Sequence, residues 1–280
     1  MKILLTNDDG YRAKGLQELV QMMKSYGDVT VVAPKFHQSG MSMAVGLGYK
    51  PIAVKEIIRK SGENWWYVDD TPASCVKFAV DNIFTVEKPD VVISGINHGS
   101  NSASAALYSA TLGAAQEGAM ADLLSIGVSL DDFGENPDFS VVRRFFPPIF
   151  EKLIRSSDHR HGVYYNINFP ALPPEMLKGC RVCSQGILHW ENEFQSYDRD
   201  IFRKKGITPL DRGIRFFPEV EEGESVYMMV GDIVDDPRNV ADADHRAVAD
   251  GFVSIVAHNL DMTDYIEKSR LESLGFDKLI

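Results

Sequence analysis

Asp8 and Asp9 are adjacent carboxylates that follow a short apolar run, Lys2 to Thr6, and precede Gly10. Two like charges this close repel unless a cation, a proton or hydrogen-bond donors come between them. A hard divalent ion is the simplest partner for such a pair. The plainer alternative is that Asp8 and Asp9 turn the chain and cap the following helix. The pair alone leaves both open, so the chemistry of other loops has to decide.

Two further apolar runs also end in loops carrying oxygen donors. Val29 to Ala33 stops at Pro34 and leads into Lys35-Phe-His-Gln-Ser39-Gly40, while Val91 to Ile93 leads into Ser94-Gly-Ile-Asn97-His98-Gly-Ser-Asn101. In a parallel sheet built from right-handed crossovers, such exits share one edge. Asp8, Asp9, Ser39 and Asn97 are then expected to meet. Two carboxylates, a hydroxyl and an amide oxygen suit Mg²⁺ or Mn²⁺, with positions left for water or phosphate. A helix start near Ser109-Ala110-Thr111 adds free N–H groups and a dipole that favour an anion on the same edge.

The elements that must position these residues follow from periodicity. Lys2 to Thr6 and Val29 to Ala33 read as strands buried on both faces of a parallel sheet. Leu16, Leu19, Val20 and Met23 recur at helical spacing between them, and Gly27 is a plausible stop. Ile52 to Ile58 and Trp65 to Val68 are expected to pair across a turn at Ser61-Gly62. Thr71 fits an N-cap with Pro72 at the first helical position, which makes Asp69 and Asp70 helix-start residues rather than ligands. A helix over about Tyr108 to Asp122, a strand over Leu123 to Leu130 and a helix over Phe139 to Ser156, disturbed by Pro147-Pro148, come next.

Tyr164 to Phe169, Arg181 to Ser184 and Val226 to Val230 read as strands. Residues 186–223 lack helical periodicity and are expected to form an irregular or hairpin extension that contacts another subunit. Asp244 is expected to open a short helix that Gly251 ends, ahead of a last strand over Phe252 to Val256. Asp264 to Leu274 reads as a terminal helix with Thr263 or Asp264 as cap. The expected architecture is α/β: a three-layer, Rossmann-like core with a mainly parallel sheet. The 280 residues are read as a single domain, core about 1–185, with an extended arm and C-terminal elements over about 186–280.

Composition narrows the partners. A chain with 29 basic and 40 acidic side chains, formally −11, is a poor extended nucleic-acid binder, because such binding needs a basic surface. Small anionic substrates stay open, since a bound cation reverses the local field. No segment reaches the ~18–20 consecutive apolar residues of a membrane helix. The amino terminus is expected to be a strand rather than a secretory signal. Three cysteines, Cys75, Cys180 and Cys183, suggest reduced thiols in a cytoplasmic protein, with the CxxC at 180–183 read as buried thiols in a strand. GxxxxGK[ST], GxGxxG after a strand, HExxH and GxSxG are all absent.

The residues quoted above resemble the stationary-phase survival protein SurE family of nucleotidases. Matching stretches are Thr6-Asn-Asp-Asp-Gly10 with Ala13 and Gly15, Ala33-Pro34 with Ser39-Gly40, and Ser94-Gly-Ile-Asn97 with Gly99 and Asn101. Tyr108-Ser109 with Thr111, Glu117-Gly118, Asn166 with Asn168 and Pro170, and Gly251-Phe-Val-Ser254 match as well. The resemblance implies a metal-dependent phosphatase acting on nucleoside 5′- or 3′-monophosphates, with one Mg²⁺ or Mn²⁺ per subunit. It also implies a dimer or tetramer that exchanges C-terminal elements. Carried over by motif, Asp8, Asp9, Ser39 and Asn97 are the metal ligands, and Asn101, Ser109, Ala110 and Thr111 face the phosphate.

The chain departs from the family pattern at several places: Asp70 where Gly is usual, Ser74 where Asp is usual, Ala110 where Gly follows Ser, and Val256-Ala257 where Thr-Pro is usual. The Thr that follows the Ser39 loop is replaced near Val45-Gly46. None removes a ligand, and Ala110 bears most on how closely a phosphate approaches. For the reaction, Asp8 and Asp9 anchor the ion. Attack by a water that one of them orients and attack by Asp8 itself both remain open. His98 is a candidate acid for the leaving alkoxide, with a structural hydrogen bond as its alternative. Asp242, Asp244 and His245 are read as a helix start rather than a second metal site. Two rivals remain at this level. One is an aspartyl-phosphate phosphatase of the haloacid dehalogenase type, which separates its aspartates by one residue. The other is a non-catalytic nucleotide binder on a Rossmann-like fold.

Overall fold

The computed structural model describes residues 1–48, 50–134, 136–155, 160–198, 200–201 and 220–276. Its centre is β1 (Lys2–Thr6), whose Ile3, Leu4 and Leu5 are fully buried. A strand buried on both faces needs covering layers on both sides, and the chain supplies them as helices. In order, β1 is followed by α1 (Lys14–Met23), β2 (Asp28–Pro34), β3 (Val54–Lys60), β4 (Glu63–Val68) and α2 (Pro72–Phe78). Then come β5 (Val91–His98), α3 (Ala105–Tyr108), α4 (Ala110–Met120), β6 (Leu124–Asp131), α5 (Ser140–Arg155), β7 (Val163–Pro170) and β8 (Cys180–Val182). The arm holds β9 (Leu188–Glu191), β10 (Phe194–Ser196), β11 (Tyr227–Met229) and β12 (Asp232–Asp235). Beyond it lie α6 (Asp244–Ala249), β13 (Val253–Asn259) and α7 (Tyr265–Ser273).

Nine strands form the main sheet in the order β3-β4-β2-β1-β5-β6-β7-β13-β8. From β4 to β7 every neighbour is parallel. β3 is antiparallel to β4 on one edge, and β13 runs antiparallel to β7 near the other. Strand alternation sends Ile3 and Leu5 to the face covered by α1 and α5, and Leu4 to the face covered by α2 and α4. Each fully buried apolar side chain on those faces, such as Leu16, Leu19, Phe146 or Phe150, contributes roughly 1.5–3 kcal/mol. The chain crosses from β1 to β2 on one side and reaches β5 on the other, so the strand order reverses at β1. Open α/β sheets keep their ligand crevice at that reversal.

Gly15, in the first turn of α1, touches the end of β5. A β-carbon at that position would lie 2.1 Å from the carbonyl oxygen of Ile96, so only the missing side chain lets the helix seat there.

Several expected elements differ in the structure. β5 does not end at Ile93 but runs to His98, and its ladder with β6 shifts register between Ser94 and Asn97. The helix expected over Tyr108 to Asp122 is two helices, α3 and α4, divided at Ser109, whose backbone is extended (φ −71°, ψ 118°). Helix α5 continues through Pro147 and Pro148. The described part of the arm expected over 186–223 contributes β9 and β10, which pair antiparallel with β12 and β11 beyond that range as two small ribbons; β12 was not anticipated. Residues 202–219 of that arm lie outside the described residues. Of the 180–183 pair, expected as buried thiols in a strand, Cys183 is buried just past β8 but Cys180 is exposed; Cys75 is buried, and all three are free.

Near the first helix-start pair, Asp70 accepts a hydrogen bond from the Gly46 N–H (3.1 Å) and Asp69 pairs with Lys35 (3.3 Å). Thr71 caps α2 as expected, accepting from the Ser74 N–H. Asp244 is not a cap: α6 begins after Ala243, and the Asp244 side chain is fully buried inside the helix start.

Candidate active site

The turn after β1 is made by Asn7-Asp8-Asp9-Gly10. Gly10 takes φ +98°, which an L side chain resists, and the Asn7 amide donates to its carbonyl (3.1 Å). The loop after β2 lies across this turn. Gln38 N–H donates to the Asp8 carbonyl (2.7 Å) and Tyr11 N–H to the Pro34 carbonyl (2.9 Å). These backbone bonds bring Ser39 and His37 to the carboxylates. Ser39 Oγ lies 3.5 Å from Asp8 Oδ2, and His37 Nδ1 lies 3.3 Å from Asp9 Oδ1.

Helix α4 completes the surroundings of Asp8. Nine of its residues are buried, so it sits inside the molecule rather than on it, and its small side chains permit that. Thr111, in its first turn, donates to Asp8 Oδ1 (2.7 Å). Ser109 caps the helix, its hydroxyl accepting from Leu112 N–H (3.1 Å) and its carbonyl from Gly113 N–H (2.9 Å). The N–H groups of Ala110 and Thr111 precede any intrahelical acceptor and stay at the helix mouth.

The electrostatics match the crowding. Burial raises the Asp8 carboxyl from 3.8 to about 6, and the neighbouring Asp9 charge pushes it the same way. The Thr111 hydrogen bond and the His37 imidazole pull against these and do not cancel them. The surroundings of the Asp8 carboxyl are therefore short of positive charge.

Asn97 stands at the end of β5, beside β1. Thr6 pairs with Ser94, so Asp8, Asp9 and Asn97 lie two or three residues beyond the same rung of the ladder. Asn97 is buried; its Nδ2 donates to the Gly99 carbonyl (2.9 Å), while its Oδ1 is buried with no hydrogen-bond partner. A buried amide oxygen left unmet costs about 1–3 kcal/mol, and an ion would satisfy it. Among the described residues no group of three or more His, Cys, Asp or Glu side chains is placed to hold a metal. An ion here would therefore use the hydroxyl and amide as well as the carboxylates, an all-oxygen donor set that suits Mg²⁺ or Mn²⁺. The residues present fit such an ion.

The structure brings Asp8 directly against Ser39 and Thr111, and sets Asn97 at the neighbouring strand end. Asn101 is engaged on the β6–β7 side, its Nδ2 donating to Ser129 Oγ (2.8 Å). His98, half-buried, packs its ring on Phe139 with centroids 5.6 Å apart. Ala110 is fully buried, so its methyl faces protein.

Three groups at the site carry roles that sequence reasoning did not assign. His37 lay in view two residues before Ser39 in the same strand exit, yet nothing in its spacing pointed to Asp9. Asn166 and Asn168, both fully buried on β7, form an amide ladder under the Asn101 loop. Asn168 Nδ2 donates to Asn166 Oδ1 (3.0 Å), Asn101 N–H to Asn168 Oδ1 (2.8 Å), and Asn166 Nδ2 to the Asn101 carbonyl (2.9 Å). Two amides spaced i and i+2 in an apolar strand were the available signal. The third is Asp244, which binds the backbone at Ala103.

Comparison with known proteins bears on the whole of this arrangement. A family model described as "Survival protein SurE" matches residues 3–192. The 5′-nucleotidase SurE of Christiangramia forsetii is 37% identical over 262 residues, covering 93% of this chain and 92% of that protein. That of Cytophaga hutchinsonii is 35% identical over 261 residues, with 93% and 92% covered. Among solved structures, the SurE protein from Aquifex aeolicus superposes with a TM-score of 0.75 at 29% identity, covering 98% of this chain and all of that one. With a buried Asp8 carboxyl crowded by Asp9 at the sheet's reversal point and these relatives along nearly its full length, the chain belongs to the SurE family.

Proposed function

We propose that the protein hydrolyses nucleoside monophosphates at this pocket, releasing nucleoside and phosphate, with the 5′-phosphate as the expected substrate and the 3′-phosphate as a second one. The single observation that carries the reading is the buried Asp8 carboxyl, crowded by Asp9, at a strand end next to the one that carries the buried, unpartnered Asn97 Oδ1. The relatives named 5′-nucleotidase SurE support the substrate class.

In this reading Asp8, Asp9, Ser39 and Asn97 hold one divalent cation per subunit, Mg²⁺ or Mn²⁺. Such an ion, when bound, polarises a phosphoryl oxygen and lowers the pKa of a water. Asn101, Ser109, Thr111 and the N–H groups at the mouth of α4, including that of Ala110, orient the phosphoryl oxygens and accept their charge as it redistributes. Asp8 or Asp9 aligns the attacking water and takes its proton; the alternative is direct attack by Asp8, which leaves a phosphorylated aspartate for water to clear. His98 is positioned one residue past Asn97 as the candidate proton donor to the leaving alkoxide.

The chain is read as one unit over 1–280, with the core at about 1–185 and the remainder as arm and terminal elements. It is proposed to assemble as a homodimer or homotetramer through those C-terminal elements. In support, α7 buries none of its residues, and Met262 and Ile266 are each 87% exposed. No helix among the described residues is long and apolar enough to cross a membrane. A cytoplasmic location is proposed on the three free thiols.

The test is phosphate release from a panel of nucleoside 5′- and 3′-monophosphates with Mg²⁺ or Mn²⁺, repeated with chelator. Release that needs the ion supports the reading. Metal-independent release, or none from any phosphomonoester, defeats it.

A further inference from the structure

The arm and the pocket meet at a carboxylate outside the proposed catalytic set. Asp244 is fully buried. Both its oxygens accept from Ala103 N–H (3.1 and 3.0 Å), and Oδ1 also accepts from Gly186 N–H (2.9 Å) and His245 N–H (2.9 Å). One side chain thus binds three backbone segments: the loop carrying Asn101, the root of the arm and its own helix. Ser104 Oγ adds a second tie by accepting from Leu188 N–H at the start of β9 (2.9 Å).

The loop needs such a tie. Ala103 holds φ +51°, a left-handed conformation that an alanine leaves when nothing retains it. Asn168 fixes the near side of the loop at Asn101 N–H (2.8 Å), and Asp244 fixes the far side two residues on. A buried carboxylate meeting several N–H donors makes charge-assisted bonds, stronger than neutral ones.

We propose that Asp244 is a positioning residue for the phosphate-binding side of the pocket. It holds the Asn101 loop against its left-handed strain and links that loop to the arm. This rests on the reading of the pocket as a phosphomonoesterase. Asp244 touches neither substrate nor ion; it acts through the placement of Asn101.

Asp244→Asn keeps the size and removes the charge. In the full-length protein with Mn²⁺ present, kcat/KM for a nucleoside monophosphate is expected to fall about 10–100-fold, the scale of a displaced positioning group. Affinity for inorganic phosphate falls about tenfold, hydrogen exchange of the amides over 101–103 accelerates, and Mn²⁺ affinity stays within twofold. In an Asn101→Ala background the same substitution adds little further loss. A merely structural carboxylate would lower Mn²⁺ affinity and thermal stability together, and would keep its full effect without Asn101. Ser104→Ala, which cuts only the weaker tie, is expected to move phosphate affinity and exchange in the same direction by about two- to fivefold, and it decides the matter if Asp244→Asn does not fold. Unchanged exchange and phosphate affinity in a folded variant overturn the proposal. A parent protein that releases no phosphate defeats the activity instead, and the exchange measurement still decides the role of Asp244.

Discussion

Replacing Asp8 with Asn is expected to make the metal-free protein more stable while abolishing its proposed activity. The Asp8 carboxyl titrates at about 6 instead of 3.8, because it is buried beside Asp9. The sign follows from proton counts. Between about pH 4 and 6 the unfolded chain has lost this proton and the folded chain keeps it, so stability falls as pH rises through that window. Above about 6 the group is charged in both states and the full penalty applies. At about 1.4 kcal/mol per decade of proton affinity, the penalty approaches about 3 kcal/mol. Asn at position 8 can keep the Thr111 bond through its Oδ1 and carries no charge to desolvate. The assay is urea unfolding in chelator at pH 4 and pH 7.5. The variant should exceed the parent by about 1–3 kcal/mol at pH 7.5 and converge with it near pH 4. With Mn²⁺ at 100 times its dissociation constant the parent alone should gain about 2.7 kcal/mol, which reverses the ranking or levels it. A variant less stable than the parent in chelator at pH 7.5, or a difference that ignores pH, refutes the electrostatic argument.

Asp9→Asn should lower metal-dependent phosphate release by more than about 100-fold with the unfolding midpoint in chelator unchanged or raised; undiminished release would remove Asp9 from the ligand set. Asn97→Ala should weaken Mn²⁺ binding about tenfold by calorimetric titration, since it deletes a buried amide oxygen that has no hydrogen-bond partner. Thr111→Val removes the 2.7 Å bond that holds the Asp8 carboxyl down, so the pH at which Mn²⁺ binding is half lost should move upward. Truncation after Asp261 should cost less than about 1 kcal/mol of subunit stability, because α7 buries nothing, yet should reduce the mass seen by light scattering. An unchanged mass would count against assembly through the C-terminal elements.

The parallel sheet, its covering helices and the convergence of Asp8 and Ser39 were legible because they follow from local rules. Apolar runs of five to seven residues, alternating with helical spacing, leave few topologies once crossovers are right-handed. What escaped was set by tertiary contacts. β5 runs past Ile93 because β6 supplies ladder partners for Ser94, Asn97 and His98 on either side of the register shift, although Ser, Asn and His carry little strand propensity of their own. The break at Ser109 was hidden in an Ala-rich stretch that reads as one helix. Asp244 was assigned by its position near a helix start, where carboxylates usually face outward, and its actual partners lie 58 and 141 residues away. The residues 202–219 of the expected arm lie outside the described residues.

The contact between Gly15 and the Ile96 carbonyl has a consequence for how variants of this protein will be interpreted. The spacing between two loops that must cooperate is governed by a hydrogen atom on a residue with no chemistry of its own. Gly15→Ala would wedge the helix away from the sheet rim, and the harm would surface as poor turnover in a protein whose reactive groups are all intact. Damage at a silent position would then be mistaken for a fault in the machinery several ångströms away.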